Sequence, residues 1–445
     1  MAQTFSEALS RSPLKAFSVA SFAICMLVLV CDGMDAQLLG IVAPKVIEEF
    51  GVAGGTFGIA MSAALVGFGI GSWGGGWLGD TIGRRWSLAI ATVLFSLATM
   101  GASQAGDVWQ MAAWRVVGGL GFGSAYANAI TLAGEWLPDR WRSVGVTTLS
   151  VGTPAGGLVV AALAPTLVDL YGWRGSFIVI GAATLLVVFL IVFVLRDSPS
   201  FLLARGKAAE ARAAARKVLP GDDDIVPERH HTDRDGVAVG VFDKGNLRLN
   251  LGIGIAFAAA ATCAYGILNW TTTMLTAKGF TFEEASYAVS VAGLTSIASS
   301  IAAGLLVQRF GSRIVMAVLS VSLFLTLLVL AFRLEQLSGV PGAGEGNVIV
   351  ALIGLSAALF SAAIASFYAM MTYGYPASCR SAGIGFGIFV GRIGAITASG
   401  LGGWLLDLGE GSVVPFFAVL CVAAVLVSAA AIIVDRQVPP ARSAA

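Results

Sequence analysis

Four charged side chains of this 445-residue chain lie inside long apolar stretches. Asp32 and Asp35 lie in the first stretch, Arg115 in a later one and Arg392 near the end of the chain. A charge at the depth of a bilayer costs roughly 3 kcal/mol on insertion scales, so such residues usually face a cavity and bind ions or substrate. Two acids and two bases at that depth predict a membrane site for protons and an anion.

The two acids form a candidate proton site. Asp32 and Asp35 are three residues apart, which places both carboxylates on one face of a helix. Two carboxylates this close in a low dielectric repel each other and lose hydration, so at least one should bind a proton near neutral pH. Glu135 lies only at the predicted membrane edge. In the alternative interpretation, one of the two aspartates pairs permanently with Arg115 and only holds the helices together.

Arg392 is the first candidate for binding an anion. A guanidinium stays charged and presents a rigid fork that matches a carboxylate. The interiors of the C-terminal apolar segments contain no acid, and Asp407 lies only at their outer edge. An unpaired buried cation is unfavourable, and an anionic substrate would satisfy it. Arg115 is the second basic candidate. Alternatively, Arg392 binds a helix-end carbonyl or water and serves packing alone.

Aromatic and amide side chains in the same stretches could contact the rest of such a ligand. Each is a weak signal by itself, because Trp and Tyr in spanning helices are more often packing residues or interface anchors. Asn269 next to Trp270 is the first choice. The candidates are Tyr126, Asn128, Tyr265, Asn269, Trp270, Phe367 and Tyr368.

The composition is that of a membrane protein. Hydrophobic residues make up 57% of the chain and charged residues 12%, against about 45–50% and about 25% in soluble proteins. Twelve apolar segments approach the roughly 20 residues that a spanning helix needs, which predicts an all-α membrane protein. The segments are 16–43, 54–78, 87–105, 109–132, 144–167, 175–195, 249–276, 284–307, 314–333, 347–371, 381–405 and 412–434.

A polar linker divides the segments into two sets of six. We expect an N-terminal bundle at 1–196, a cytoplasmic linker at 197–248 and a C-terminal bundle at 249–445. The linker sequence AAEARAAARKVL favours a short surface helix, and a flexible tether should follow it. Most Lys and Arg residues lie in segments on the same side of the membrane as the two termini. This distribution predicts that both termini are cytoplasmic.

The two halves repeat a sequence pattern. GGWLGDTIGRR at 75–85 returns as AGLLVQRFGSR at 303–313, and PDRWRSVG at 138–145 returns as PASCRSAG at 376–383. Two matches in the same order and topological position predict pseudo-symmetric six-helix bundles. Parallel halves with a binding site between them suit alternating access by rocking.

The first of these repeats contains a family motif. Gly76-x-x-x-Asp80-x-x-Gly83-Arg84-Arg85 resembles the signature of the major facilitator superfamily. In that superfamily the acid and its basic neighbours latch the cytoplasmic side in the outward-open state. Enforcing topology is an alternative role for the two arginines, and the second copy has Gln308 in place of the acid. The resemblance implies a latch that comprises Gly76, Asp80, Gly83, Arg84, Arg85, Glu135 and Arg142.

A second motif supports the same resemblance. Arg115-x-x-x-Gly119-x-Gly121-x-Gly123 in the fourth segment resembles another signature of the superfamily. The glycine run lacks a Walker lysine and a preceding strand, so close helix contacts explain it better than a nucleotide loop. Together with the repeat, the resemblance covers the whole chain and implies the major facilitator fold.

Further motifs resemble the aromatic acid:proton symporter family of that superfamily. The chain departs from the family at Thr271-Thr272-Thr273, where a Leu-Pro step is usual. The resemblance implies proton-driven import of an aromatic carboxylate, such as a hydroxybenzoate-type compound, across the bacterial inner membrane. The matching motifs are Asp32-Gly-Met-Asp35, Glu135-x-x-Pro138, Asn269-Trp270, Tyr375-Pro376-x-x-x-Arg380-x-x-Gly383 and Gly391-Arg392-x-Gly394.

Other functions stay open at this point. A symporter of a non-aromatic organic anion is the main alternative, because Arg392 recognises a carboxylate and not a ring. A drug-efflux carrier would find Arg392 unfavourable for a cationic drug. A non-transporting ligand sensor would need a signalling domain, which the linker does not supply.

The sequence indicates no enzyme. It contains no nucleophile–base set, its five cysteines show no CxxC spacing, and the adjacent His230 and His231 suit a solvated loop better than a metal site. We expect no metal, cofactor or nucleic acid. The expected partners are an organic acid, protons and the lipid bilayer, and superfamily members are commonly monomers.

Overall fold

The structure is a computed structural model that describes residues 3–10, 12–219, 225–226, 240–337, 339, 341–376 and 379–440. Helices dominate it, apart from a parallel pairing of β1 (Gln3–Thr4) with β2 (Ile225–Val226). The helices are α1 (Phe5–Ser10), α2 (Ala16–Phe50), α3 (Gly54–Ile82), α4 (Arg84–Ala102), α5 (Val108–Trp136), α6 (Asp139–Leu149), α7 (Gly152–Phe193), α8 (Pro199–Ala204), α9 (Ala208–Ala215), α10 (Leu247–Ala277), α11 (Phe282–Phe310), α12 (Ser312–Glu335), α13 (Ala343–Gly374), α14 (Arg380–Leu408), α15 (Val414–Val427) and α16 (Ala429–Ile433), with a 3₁₀ turn at Lys244–Asn246.

The helices supply twelve spans. Within the described residues, eleven helical stretches are long and apolar enough to cross a membrane. One of them, α7, has 42 residues and would be about 60 Å long, twice the hydrocarbon thickness. Its backbone breaks at Gly172 (φ 67°, ψ 176°), a conformation that glycine adopts readily. The fifth and sixth spans therefore meet at Gly172 without a loop.

The fifth span contains a break that the sequence did not predict. The sequence placed the start of the fifth span at residue 144, but a separate helix, α6, ends at Leu149 and α7 begins only at Gly152. The apolar pattern ran across this junction because α6 already contains Val144 and Val146. The last span, in turn, is shared by α15 and α16.

Side chains and backbone conformations define several helix ends. Asp107 caps α5 by accepting a hydrogen bond from the Gln110 amide at 2.8 Å. Thr281 and Glu284 form a reciprocal capping box at the start of α11. Gly51, with φ 62°, ends α2 in the left-handed conformation, which suits a residue without a Cβ.

The repeated arginines have equivalent structural roles. Arg85, at the start of α4, donates to the backbone carbonyl of Val192 near the end of α7. Arg313, at the start of α12, donates through Nε to the carbonyl of Ala431 in α16 at 3.1 Å. In each half, the third span is thus anchored to the end of the sixth, and the repeat is a shared framework.

The repeated glycines are equivalent too. A Cβ at Gly145 would overlap the side chain of Leu137. A Cβ at Gly383 would press on the ring of Tyr375, 2.5 Å from its Cδ2. Each glycine therefore lets the helix after the fourth span of its half fold back on the residue that ends that span.

The linker packs on the N-terminal half. The predicted surface helix is α9, and it contributes buried alanines to the cluster that contains Phe5 and Trp136. The ring centroids of Phe5 and Trp136 are 5.7 Å apart, so α1 also belongs to this cluster. The predicted tether lies largely outside the described residues, as do His230 and His231.

Helices of the two halves pack closely at one end of the bundle. We call the end where α2 begins and α16 ends the terminal face, and the opposite end the distal face. Near the distal face α3 and α14 are so close that a Cβ at Gly58 would overlap Gly400. The Gly55 amide donates to Asp407 at 2.7 Å, and Gln37 Nε2 donates to the Leu268 carbonyl at 2.6 Å. The distal end is closed.

The same helix faces separate toward the terminal face. On α3 the contact face continues from Gly58 to Gly69, where no described atom lies within 4 Å of the position that a Cβ would take. On α14 it continues from Gly400 to Phe389, which is 67% exposed. No described atom lies within 4 Å of the position that a Cβ would take at Gly76. The space between the halves therefore opens on the terminal face.

Candidate functional site

Two helices are in close contact at the Asp32-Gly-Met-Asp35 motif. A Cβ at Gly33 would overlap the backbone of Thr153, so α2 and α7 approach closely at this level. As a result, the Thr153 hydroxyl donates to Asp32 Oδ2 at 3.3 Å. The glycine between the two predicted acids thus provides the contact that gives Asp32 its hydrogen-bond donor.

Asp35 has a different environment. Its Oδ2 lies 2.5 Å from Nη1 of Arg115, in an ion pair whose two side chains are 1% and 5% exposed. The Thr99 hydroxyl donates to the other carboxylate oxygen at 2.6 Å. Asp35 and Arg115 therefore match the interpretation in which one acid is bound to a structural partner.

The two acids are thus unequal. Asp32 is buried, at 4% exposure, and it has no ion pair within 4 Å in the described part of the chain. Its electrostatic partners include the attractive charge of Arg392, from the other half, and the repulsive charge of Asp35. Asp32 is the acid whose charge is left to interact across the space between the halves.

Arg392 is positioned by the glycines around it. It lies on α14 between Gly391 and Gly394. A Cβ at Gly394 would overlap the backbone of Ala258 on α10, so these two helices are in close contact. Arg392 Nη1 donates to the hydroxyl of Tyr265, also on α10, at 3.0 Å.

The guanidinium of Arg392 also contacts the N-terminal half. Its Cζ lies 4.0 Å from the ring centroid of Phe68 on α3. The ring of Tyr126, on α5, lies 5.7 Å from that of Phe68. Arg392 interacts electrostatically with Asp32 and with the hydroxyls of Tyr126 and Tyr368. The described carboxylates form no ion pair with it. We call the space around Asp32, Phe68, Tyr126, Tyr265, Tyr368 and Arg392 the central chamber.

The glycines after Arg115 fix the wall of the central chamber. A Cβ at Gly119 would overlap Ala64 on α3, and a Cβ at Gly123 would overlap the backbone carbonyl of Phe68. Gly121 faces the opposite direction, toward Phe95 on α4. The glycine run therefore serves close helix packing, and it holds the backbone of Phe68 firmly against α5.

Several predicted ligand contacts lie elsewhere. Asn269 Nδ2 donates to the Ser399 hydroxyl at 2.8 Å, and Trp270 Nε1 donates to the Ser399 carbonyl at 3.2 Å. Trp270 and Phe367 are fully buried. Asn128 binds three groups of the N-terminal half through Nδ2: the Gly75 carbonyl, the Ser87 hydroxyl and the Ser124 carbonyl. In this conformation these four residues support the helices around the chamber. Their predicted role in binding stays a prediction.

The candidate latch lies at the terminal face of the N-terminal half. Arg84 lies between two acids, 2.5 Å from Asp80 and 3.2 Å from Glu135. Arg205 donates to the backbone carbonyl of Asp80. The guanidinium groups of Arg84 and Arg205 also lie over the ring of Phe201, each 5.3 Å from its centroid. The short helix α8 is thereby attached to the latch.

The other latch candidates lie next to acidic side chains. Gly83 has φ 104°, and a Cβ there would lie 2.6 Å from the Asp197 carboxylate. That carboxylate accepts a hydrogen bond from the Arg85 amide at 2.9 Å. Burial raises the pKa of Asp197 above its usual value, although the hydrogen bond from Arg85 opposes the shift. Arg142 pairs with Asp139 at 3.0 Å.

Three residues of the site could not be recognised from the sequence. Thr99 and Thr153 are hydroxyl donors to the two acids, but nothing in their sequence surroundings distinguishes them from other threonines in apolar segments. Phe68 is one of 25 phenylalanines in the chain. Its only signal is its spacing from Gly71 and Gly75, which mark the face of α3 that packs against α5.

Comparisons with known proteins agree with this architecture. Residues 25–333 match the family model described as Major Facilitator Superfamily. The 4-hydroxybenzoate transporter PcaK of Pseudomonas aeruginosa is 26% identical, over 90% of this chain and 89% of the relative. The gallate transporter of Pseudomonas putida is 28% identical, over 90% and 88%. The gentisate transporter of Corynebacterium glutamicum is 27% identical, over 87% and 81%. These relatives confirm the resemblance to aromatic acid transporters.

Solved structures share the fold at low identity. A D-xylose–proton symporter superposes with a TM-score of 0.74 at 16% identity, covering 95% of this chain and 99% of the other. An inward-open conformation of the xylose transporter XylE from E. coli gives 0.72 at 17% identity, covering 92% and 94%. The similarity at this identity concerns the fold, which is that of two six-helix bundles.

Proposed function

We propose that this chain, which belongs to the Major Facilitator Superfamily, imports an aromatic carboxylate together with protons across a bacterial cytoplasmic membrane. As a superfamily member it is an integral membrane transporter and not an enzyme. In our proposal both termini are cytoplasmic, so the terminal face is the cytoplasmic face. The described conformation, open on that face, is then the inward-open one.

The environment of Arg392 is the observation on which the proposal mainly rests. Its guanidinium lies at the depth of the central chamber, and the described residues offer it a phenol and an aromatic ring but no ion-pairing carboxylate. Arg115, by contrast, is neutralised by Asp35. We therefore assign the substrate carboxylate to Arg392 and the structural ion pair to Arg115.

The surroundings of Arg392 favour an aromatic substrate over an aliphatic one. Tyr126, Tyr265 and Tyr368 supply flat apolar surfaces on which a ring can pack, and Tyr368 is 38% exposed. The phenol groups can also exchange hydrogen bonds with ring hydroxyls. The names of the relatives, which transport 4-hydroxybenzoate, gallate and gentisate, point to the same class.

Asp32 is the proposed proton carrier. When ionised it attracts Arg392 across the chamber, and in doing so it competes with the substrate carboxylate for the guanidinium. When protonated it releases Arg392 to the anion. A proton and an anion bound together leave the chamber with nearly unchanged net charge, which favours reorientation of the loaded carrier.

The latch also belongs to the proposal. Its acids and bases pair within the N-terminal half in this conformation, since Arg84 binds Asp80 and Glu135. We propose that closure of the terminal face brings this cluster against the C-terminal half. Because the second copy has Gln308 in place of the acid, we assign the latch to the N-terminal half alone.

Uptake by proteoliposomes tests the proposal. Purified protein would be given radiolabelled 4-hydroxybenzoate, benzoate, gentisate or succinate, with and without an acid-outside proton gradient. We expect concentrative, gradient-dependent uptake of aromatic acids only. Uptake of succinate alone would favour the non-aromatic alternative, and binding without uptake would favour a sensor.

Two arginine variants test the anion site. Arg392→Ala should abolish uptake while the amount of folded protein stays unchanged. Arg309→Ala is the matched control, because Arg309 is exposed on α11 and, among the described residues, stacks on its neighbour Phe310. Normal uptake by Arg392→Ala would contradict the assignment of the substrate carboxylate to Arg392.

A further inference from the structure

We propose that Phe68 is a positioning residue for substrate binding, because its ring holds the Arg392 guanidinium in the orientation that receives a carboxylate. The inference rests on the proposed function of Arg392 as the anion site. It adds an aromatic side chain from the opposite half of the molecule to that site.

The geometry of the contact leaves the binding edge free. Arg392 Cζ lies 4.0 Å from the ring centroid of Phe68, the distance of a close cation–π contact. A guanidinium binds carboxylates through N–H groups that lie in its own plane. Because the guanidinium carbon lies over the Phe68 ring, the contact is made through the π face, and a stacked arrangement leaves the in-plane donors free for a carboxylate. Of those donors, Nη1 is hydrogen-bonded to Tyr265.

A long side chain needs such support. Fixing an arginine side chain costs up to about 2 kcal/mol of rotamer entropy. If Arg392 were mobile, part of this cost would arise when the substrate binds and would weaken binding. Phe68 and Tyr265 hold the guanidinium from two directions before the anion arrives. Preorganisation of this kind raises affinity without adding a contact to the ligand.

The backbone of Phe68 is held more firmly than ordinary packing requires. Gly119 and Gly123 let α5 approach α3 so closely that added Cβ atoms would meet the Phe68 amide nitrogen and carbonyl oxygen. The ring itself is only half-buried, so it lies between the wall of the N-terminal half and the chamber. One side of the molecule thus presents a fixed ring to the cation of the other.

Kinetics of Phe68→Leu provide the test, with 4-hydroxybenzoate as the probe. Removing a cation–π contact of this kind should raise KM about three- to thirtyfold, with kcat within about twofold. Phe68→Trp keeps an aromatic face and should restore KM to near the wild-type value. Phe122→Leu is the matched control, because Phe122 packs on Phe95 at 4.8 Å inside the N-terminal half and should leave KM unchanged.

A neutral analogue separates positioning from general packing. Thermal-shift binding of 4-hydroxybenzamide, which lacks the carboxylate charge, should change less in Phe68→Leu than binding of 4-hydroxybenzoate. An unchanged KM in Phe68→Leu, or equal defects in Phe68→Leu and Phe68→Trp, would overturn the inference. If Phe68→Leu yields little folded protein, Phe68→Met replaces it, with the same outcomes.

The Arg392 variants distinguish the failure of this inference from that of the proposed function. Normal uptake by Arg392→Ala would refute the assignment of the anion site to Arg392, and with it the proposed function of this residue. If Arg392→Ala is inactive and Phe68→Leu is normal, only the positioning role fails. In the Arg392→Lys background, Phe68→Leu should have a smaller effect on KM than in the wild type, since a lysine lacks the planar fork that the ring orients.

Discussion

The different environments of the two acids predict opposite consequences for their asparagine variants. Asp35→Asn removes the negative partner of Arg115, whose side chain is only 5% exposed. Removing one member of a buried ion pair costs about 3–5 kcal/mol, because the remaining charge is left unpaired. Asp32→Asn removes no ion pair of the described structure and keeps the hydrogen bond from Thr153, so it should cost about 1 kcal/mol or less.

The direct effect on transport should be larger in Asp32→Asn, although the effect on stability should be larger in Asp35→Asn. Asp32→Asn should fold and bind substrate but lose accumulation against a gradient, since an amide carries no titratable proton. Exchange of labelled for unlabelled substrate, which needs no net proton movement, should continue. Asp35→Asn should lose folded protein first, and its transport defect should follow the amount of protein that remains.

Three measurements check this prediction. Thermal denaturation of the purified variants should order them as wild type, Asp32→Asn and then, well below, Asp35→Asn. The double variant Asp35→Asn with Arg115→Gln should recover a large part of the loss, because no unpaired charge is left. Additive losses in the double variant would refute the ion-pair argument. Gradient-driven accumulation by Asp32→Asn would refute the assignment of the proton.

Two further predictions concern contacts between helices. Asp407→Ala removes the hydrogen bond to the Gly55 amide and should shift the conformational equilibrium about two- to fivefold toward opening of the distal face. Spin labels on the two halves at this face would then show a larger population at long distance. An unchanged distance distribution would show that Asp407 does not stabilise the closed distal face. Gly33→Ala should abolish uptake and lower the thermal stability because its Cβ would overlap Thr153. The control Gly69→Ala, whose Cβ would have no described atom within 4 Å, should leave both near wild type. Equal defects in the two variants would show that the contact of α2 with α7 is not the cause.

The helical framework could be predicted from the sequence because it depends on local properties. Apolar length identified the spans, and the glycine run after Arg115 indicated close helix contacts, which the structure contains at Gly119 and Gly123. The break between α6 and α7 was missed because the apolar pattern continues through α6 and into α7. An irregular junction of two residues leaves no trace in a window of about twenty.

The division of roles between the acids could not be predicted. Both lie on one face of α2, so their own spacing treats them alike. The difference arises from their neighbours: Thr99 on α4 and Arg115 on α5 bind Asp35, whereas Thr153 on α7 binds Asp32. Which neighbour faces which acid depends on the rotation of α2 against three helices, and that is set by packing over the whole bundle.

The anchoring of Arg85 and Arg313 to main-chain oxygens has a wider consequence. A carbonyl is present whatever side chain its residue carries, so Val192 and Ala431 could be exchanged for other residues while each anchor stays intact. The two bundles can thus keep a common skeleton and still diverge in chemistry. Here the two buried acids, Asp32 and Asp35, lie in the N-terminal half and Arg392 lies in the C-terminal half, and neither set of charges disturbs the anchor of its bundle.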